Sequence, residues 1–244
     1  VTTLADEDAI VAPAASSRLR RIVGFVVGLL LFAAAIVAVL TSRTALGESF
    51  DAIRHAPIWL GALALLLPLV NWHLISVSFW VLTRRYGMVG LGEMHALIGS
   101  AWLLNYLPLR PGMFGRLAYH KRINHIHLRD SVKVLASSVM LTVLSNVLIC
   151  AVAALSFELS QPLAWTLTLL PGVVISAAGL FVAGVRASLF APIPGMLIAF
   201  GVRYFDILTW VARYAVIFAL IGHPVSLTQA TLITAVSQAA LLVP

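Results

Sequence analysis

The sequence predicts an all-α fold, a polytopic transmembrane helical bundle of about six spans plus a short re-entrant helical element, and three observations predict it. Of the 244 residues, 61% are hydrophobic and only 10% are charged, whereas a soluble domain carries about 25% charged residues. The apolar residues come in unbroken runs. Several reach the roughly 20 residues a helix needs to cross a hydrocarbon core of about 30 Å. The cations gather in short segments beside those runs, which is the pattern of cytoplasmic loops. A net charge of +7 would point to nucleic acid in a soluble protein. Here it reads as topology, so nucleic acid is excluded as a partner and membrane lipids take its place.

Residues 1–21 hold Asp6, Glu7 and Asp8, a small-residue stretch, and then Arg18, Arg20 and Arg21; they predict a cytoplasmic tail with no core of its own. Residues 22–244 are predicted to form the transmembrane helical domain. The run 22–40 exceeds the core of a signal peptide, about 7 to 15 residues, and reads as a retained first span with the N-terminus inside. In 41–56, Leu46, Phe50 and Ile53 recur at helical spacing among Glu48, Asp51 and Arg54, as in a helix lying on the outer interface. A second span, 57–82, stops at Arg84 and Arg85.

The apolar stretch 96–107 is too short to cross and is bounded by cations on both sides, which predicts a re-entrant element. Both of its flanks then stay inside, together with a basic loop holding Arg110, Arg116, Lys121, Arg122, Arg129 and Lys133. Further spans read at 134–157, 163–185, 195–221 and 225–243. With sides so assigned, only Arg43 and Arg54 lie outside, and Arg203 and Arg213 fall within a span. The expected location is the cell (plasma) membrane, multi-pass, with a cytoplasmic N-terminus. The stop at Pro244 directly after Leu241, Leu242 and Val243 lacks a polar anchor and predicts a chain truncated at its C-terminus.

The stretch from Asn105 to Arg116 is the most informative. A short apolar helix is stopped by Pro108 and Pro111, and glycines and two arginines follow. Arginine offers a fork of donors suited to phosphate, as capture of a lipid head group at the membrane surface would need. The plainer alternative is that Arg110 and Arg116 are interfacial anchors that snorkel to phosphates without selectivity.

The run Asn105, Pro108, Arg110, Gly112 and Arg116, followed by a basic segment and a polar-faced span, resembles the transmembrane (flippase-like) region of the lysylphosphatidylglycerol synthase family. Met113 stands where that family usually has Glu or Asp, and the chain ends where its late Pro-Gly-Gly-x-Gly-type motif would open. The resemblance extends over 57–244. It implies a membrane region that moves or handles lipids, sometimes fused to a soluble aminoacyl-transfer domain that this sequence does not contain. It marks Asn105, Pro108, Arg110, Gly112 and Arg116 as lipid-phosphate-binding candidates.

Charged residues inside a span cost about 2.5 to 3.5 kcal/mol each at its centre and need partners. Arg203, Asp206 and Arg213 share one helical face at about 100° per residue, which must look into the bundle. They are the candidate intramembrane polar pathway; the alternative is an Arg203 to Asp206 pair at i, i+3 with Arg213 rising to the outer interface. Ser138, Thr142, Ser145 and Asn146 form one polar stripe, and Thr231, Thr234 and Gln238 another; each serves as helix glue or as a cavity lining. Asn71 and His73 carry the same ambiguity.

His120, His125 and His127 lack a zinc-like spacing and an accompanying ligand set, so no metal and no cofactor is expected. Gly24 and Gly28 form a Gly-x-x-x-Gly pair, the face through which transmembrane helices would build a homo-oligomer. The lone Cys150 reads as a small core hydrophobe. The leading functional expectation is flippase-like binding and translocation of a phospholipid or a polyprenyl-phosphate-linked lipid. The alternatives are a membrane glycosyl- or aminoacyl-transferase acting on a lipid carrier, for which Glu93, Asp130 and the histidines are the only acid-base candidates, and a non-catalytic assembly subunit. No residue is assigned as catalytic, and no catalytic constellation is recognised.

Overall fold

A computed structural model describes residues 16–41, 43–105 and 111–242. Every regular element among them is an α-helix: α1 (Ser16–Thr41), α2 (Arg43–His55), α3 (Ile58–Arg84), α4 (Leu91–Leu104), α5 (Pro111–Arg122), α6 (Leu128–Leu155), α7 (Gln161–Val185), α8 (Pro192–Leu220) and α9 (Leu227–Leu242). Helices α3, α6, α7 and α8 are long and apolar enough to cross a membrane. The protein is an all-α membrane protein built as a helical bundle.

The chain separates into two units, Val1–Arg54 and His55–Pro244. In the first, the described large apolar side chains of α1, among them Phe25, Leu31, Phe32 and Val37, are exposed, which suits a helix surrounded by lipid. The apolar stretch among its described residues is Phe25–Ala34. Helix α2 exposes Phe50 and Ile53, two of the three residues predicted to form an interfacial face. The side chain of Leu46 lies outside the described residues.

In the second unit α8 is the central helix, packed against α3, α6, α7 and α9. It is the least apolar of the four long helices, with mean hydropathy 1.4 against 2.2 for α6, and the most buried, at 56% of its span against 11% for α3. The most polar helix is thus shielded from lipid by the greasier ones, as the cost of intramembrane charge requires. Helix α7 approaches α8 closely through small residues. A Cβ on Gly201 would collide with Ser176, and one on Gly172 would press on the Tyr204 ring.

Helices α4 and α5 form an antiparallel hairpin. At about 1.5 Å per residue they are about 21 and 18 Å long, short of a hydrocarbon core of about 30 Å. Their outer ends are tied together, since Asn124, just past α5, donates through Nδ2 to Glu93 Oε1 in the first turn of α4 at 2.8 Å. Near the tip, Gly112 is buried against the Ala101 carbonyl, where a Cβ would clash. Both flanks therefore lie at the end of the unit where α3 stops and α6 starts, which is the geometry expected of the re-entrant element.

The basic loop expected over 110–133 is corrected: most of it is helical. Pro111 opens α5 at its first position, where the missing N–H would be unpaired anyway and the fixed φ already suits a helix. Helix α6 begins at Leu128, with Asp130 in its first turn, favourable at the positive end of the helix dipole, and a Lys133 Nζ to Asp130 Oδ1 ion pair at 2.7 Å.

Candidate functional site

The charged residues of α8 build a network that joins three helices. Arg203 donates from Nη1 to Asp206 Oδ2 at 2.8 Å and from Nε to Thr142 Oγ1 on α6 at 2.8 Å. The other carboxylate oxygen, Oδ1, accepts a short hydrogen bond from the Asn71 amide nitrogen on α3. Arg213 donates from Nη1 to Asn71 Oδ1 at 3.4 Å and lies over the Trp210 ring at 4.1 Å. The expected i, i+3 pair is present. Arg213, however, reaches back to Asn71 instead of only rising to an interface, so one amide holds a carboxylate with its NH2 and a guanidinium with its oxygen.

Helix α5 brings Arg116 to the same interior. Its guanidinium stacks on the Phe79 ring of α3 at 4.0 Å and lies close enough to Arg203 for the two like charges to repel. Among the described residues no carboxylate pairs with it. Arg116 and Arg203 thus lie beside one described carboxylate, Asp206, which is paired with Arg203. A half-buried guanidinium with no carboxylate of its own, as Arg116 is among the described residues, is stabilised by an anion. Guanidinium donors not engaged by the protein could bind one in a forked geometry.

The other residues predicted for this site are distributed as follows. Asn105 is the exposed C-cap of α4, its backbone N–H donating to Ala101 O at 2.9 Å. Pro108 and Arg110 lie outside the described residues. Gly112 serves close packing of α5 on α4, as its contact with Ala101 requires. In the two polar stripes, Ser138, Thr142, Ser145, Thr231, Thr234 and Gln238 are all buried. Ser145 Oγ, Thr231 Oγ1 and Gln238 Nε2 have no hydrogen-bond partner among the described residues. A stripe acting only as glue would spend its donors on neighbouring helices, so these three atoms favour a polar lining.

The acid-base candidates are engaged with neighbouring groups. His120 is buried and donates from Nδ1 to Asn124 Oδ1 at 2.9 Å, while the Asn124 amide nitrogen donates to Glu93. Glu93 also accepts from the Gly90 N–H at 3.1 Å, so its side chain caps the start of α4. Asp130 is paired with Lys133. Among the described residues no three His, Cys, Asp or Glu converge as a metal site.

Sequence reasoning did not identify Phe79 as the platform for Arg116, nor Asn124 as the link between Glu93 and His120. A polar Asn71 in an apolar run was a visible signal, but its partner lies 135 positions away in the chain. Comparison with protein-family models, with curated proteins and with solved structures found no match.

Proposed function

We propose that this protein binds lipids with a phosphate-bearing head group and moves them across the bilayer, as a flippase-like protein of the plasma membrane with its N-terminus in the cytoplasm. The observation that carries this reading is Arg116 of the hairpin stacked on Phe79 at 4.0 Å, near enough to the Arg203 network of α8 to feel its charge. A re-entrant hairpin and the central charged helix contribute one guanidinium each to an interior where, among the described residues, the carboxylate at hand is Asp206, already paired with Arg203. Arg116 would take the phosphate as it arrives. Arg203 would share it by giving up part of its bond to Asp206. The buried hydroxyls and amide of α6 and α9 would then provide polar contacts along the way. Resemblance of Asn105, Pro108, Arg110, Gly112 and Arg116 to the lysylphosphatidylglycerol synthase membrane region supports the same reading.

The test is transbilayer movement of a fluorescent phosphatidylglycerol in vesicles containing the purified protein. The wild-type chain should accelerate movement. Arg116→Gln and Arg203→Gln should each slow it by about 10-fold or more, the loss expected for a charge-assisted hydrogen bond of roughly 1.5 to 3 kcal/mol. Arg110→Gln should weaken head-group capture while membrane insertion stays intact. Equal rates in wild type, both inner-arginine variants and protein-free vesicles would discard the proposal.

A further inference from the structure

A second feature of the second unit lies away from the Arg116 and Arg203 interior. Where α3 ends and α7 turns into α8, two clefts of about 480 and 500 Å3 adjoin and share Ser188 and Phe190 in their walls. Both linings are mostly apolar, and they differ in that only the first holds a charged side chain. The first includes Arg85, Tyr86 and Ser188; the second runs along Leu180, Ala183 and Leu189. Leu180 lies five residues before the end of α7, about 7.5 Å along its axis, so the apolar half runs from the polar end of the bundle toward its middle.

The basic end is held in place by aromatic rings. Arg84 lies over Phe190 at 5.7 Å, Arg85 over Tyr86 at 4.5 Å, and Lys133 approaches the same tyrosine at 5.9 Å. Neither arginine has a carboxylate partner among the described residues, and Lys133 alone is paired, with Asp130. The Nε of Arg85 is shut off from solvent with no hydrogen-bond acceptor. An unspent buried donor on a cation costs free energy unless an acceptor reaches it. Arg85 lines the cleft, so an anion there would supply one once the guanidinium turns toward it.

We propose that this cleft is a lipid site that takes one phospholipid with an anionic head group, the phosphate on Arg85 and Ser188 with the charge of Arg84 nearby behind Phe190, and an acyl chain along Leu180 and Ala183. The order of linings, the Arg85 cation first, the shared Ser188 hydroxyl next and methyl groups beyond, matches the order of head and tail in such a molecule. A soluble phosphate would use only the first half. The site does not depend on the translocation reading, because it shares no residue with the Arg116 and Arg203 interior.

Trp80 provides a reporter, since its ring meets Phe190 edge-on at 5.2 Å. The full chain is placed in phosphatidylcholine vesicles, and tryptophan quenching by brominated phosphatidylglycerol is compared with that by brominated phosphatidylcholine. The share due to Trp80 is identified with Trp80→Phe. Wild-type Trp80 should show a preference for phosphatidylglycerol, and Arg84→Gln and Arg85→Gln should each lower that affinity about 5-fold.

Ala183→Trp fills the apolar half without changing charge and should also remove the preference. Arg129→Gln, an exposed cation elsewhere on α6, and Arg116→Gln should leave it in place. Three results would each overturn the site: no preference in the wild type, a preference that survives Arg84→Gln with Arg85→Gln or survives Ala183→Trp, or full competition by inorganic phosphate. Loss of the preference in Arg116→Gln alone would assign the lipid to the interior instead.

Discussion

Asp206 and Arg116 occupy opposite positions in the energetics of the interior. Asp206 is the carboxylate that Arg203 and Asn71 depend on, and removing one partner of a buried ion pair costs about 3 to 5 kcal/mol because a charge is left uncompensated. Asp206→Ala should therefore lower the thermal stability of the detergent-solubilised protein strongly. Asn71→Ala, which leaves the carboxylate its arginine, should cost about 1 to 3 kcal/mol. Arg116→Gln removes a stacking contact with Phe79 and also a repulsion with Arg203, so its stability should change by less than about 1 kcal/mol. A melting series that ranked Arg116→Gln with Asp206→Ala would make Arg116 a structural residue and not a ligand-binding one. At this scale the sequence carried the i, i+3 pair, because both partners sit on one helix. It could not carry the links from Asn71 to Asp206 or from Arg116 to Phe79, which depend on how separate helices pack.

The hairpin of α4 and α5 is closed at its outer end by Glu93, Asn124 and His120. Burial works against the Glu93 carboxylate, but the Asn124 amide, the Gly90 N–H, the Tyr119 hydroxyl and the His120 charge together hold its pKa below the usual value. Burial, aided by the Arg116 charge, lowers the pKa of His120, against the pull of Asn124 and Glu93. Both groups thus bind protons more weakly in the folded hairpin than in the unfolded chain. Their stabilisation is complete above the unfolded pKa values and is lost as pH falls, first for His120 below about 6.5 and then for Glu93 below about 4.3. Amide exchange in α5, corrected for its intrinsic pH dependence, should show protection falling between about pH 7 and pH 5. His120→Gln should flatten that decline; an unchanged slope would remove His120 from the clamp. The ends of this element were the least legible in the sequence. Pro111 was read as the stop of one helix when it is the start of the next, and the charges of Arg129, Asp130 and Lys133 hid the first turns of α6 from a hydropathy reading.

Across the second unit, the apolar runs were enough to locate α3, α7 and α8 to within three residues, and the end of α6, since length and hydropathy are properties of a segment by itself. Which helix lies inside was legible only indirectly, through the charges of α8 that no lipid-facing helix could carry. The order of crossings follows from the hairpin. Because α4 and α5 return to the end where α3 stops, the segment after α3 and the start of α6 belong on one side of the membrane, with the α7 to α8 turn. The segments before α7 and before α9 belong on the other, and the Gln161 side chain ties those two helix starts together by accepting from the Leu227 N–H at 3.0 Å. In a chain whose Cys150 is replaced by serine, single cysteines at Met88, Arg129 and Arg186 should react with an impermeant thiol reagent from the same side of sealed vesicles. Cysteines at Phe157 and His223 should react only from the opposite side. All five positions are exposed, so a silent position cannot be put down to burial within the chain. Labelling of Met88→Cys and Arg129→Cys from opposite sides would mean that the hairpin crosses completely, which would remove the re-entrant geometry on which the proposed head-group role of Arg116 rests.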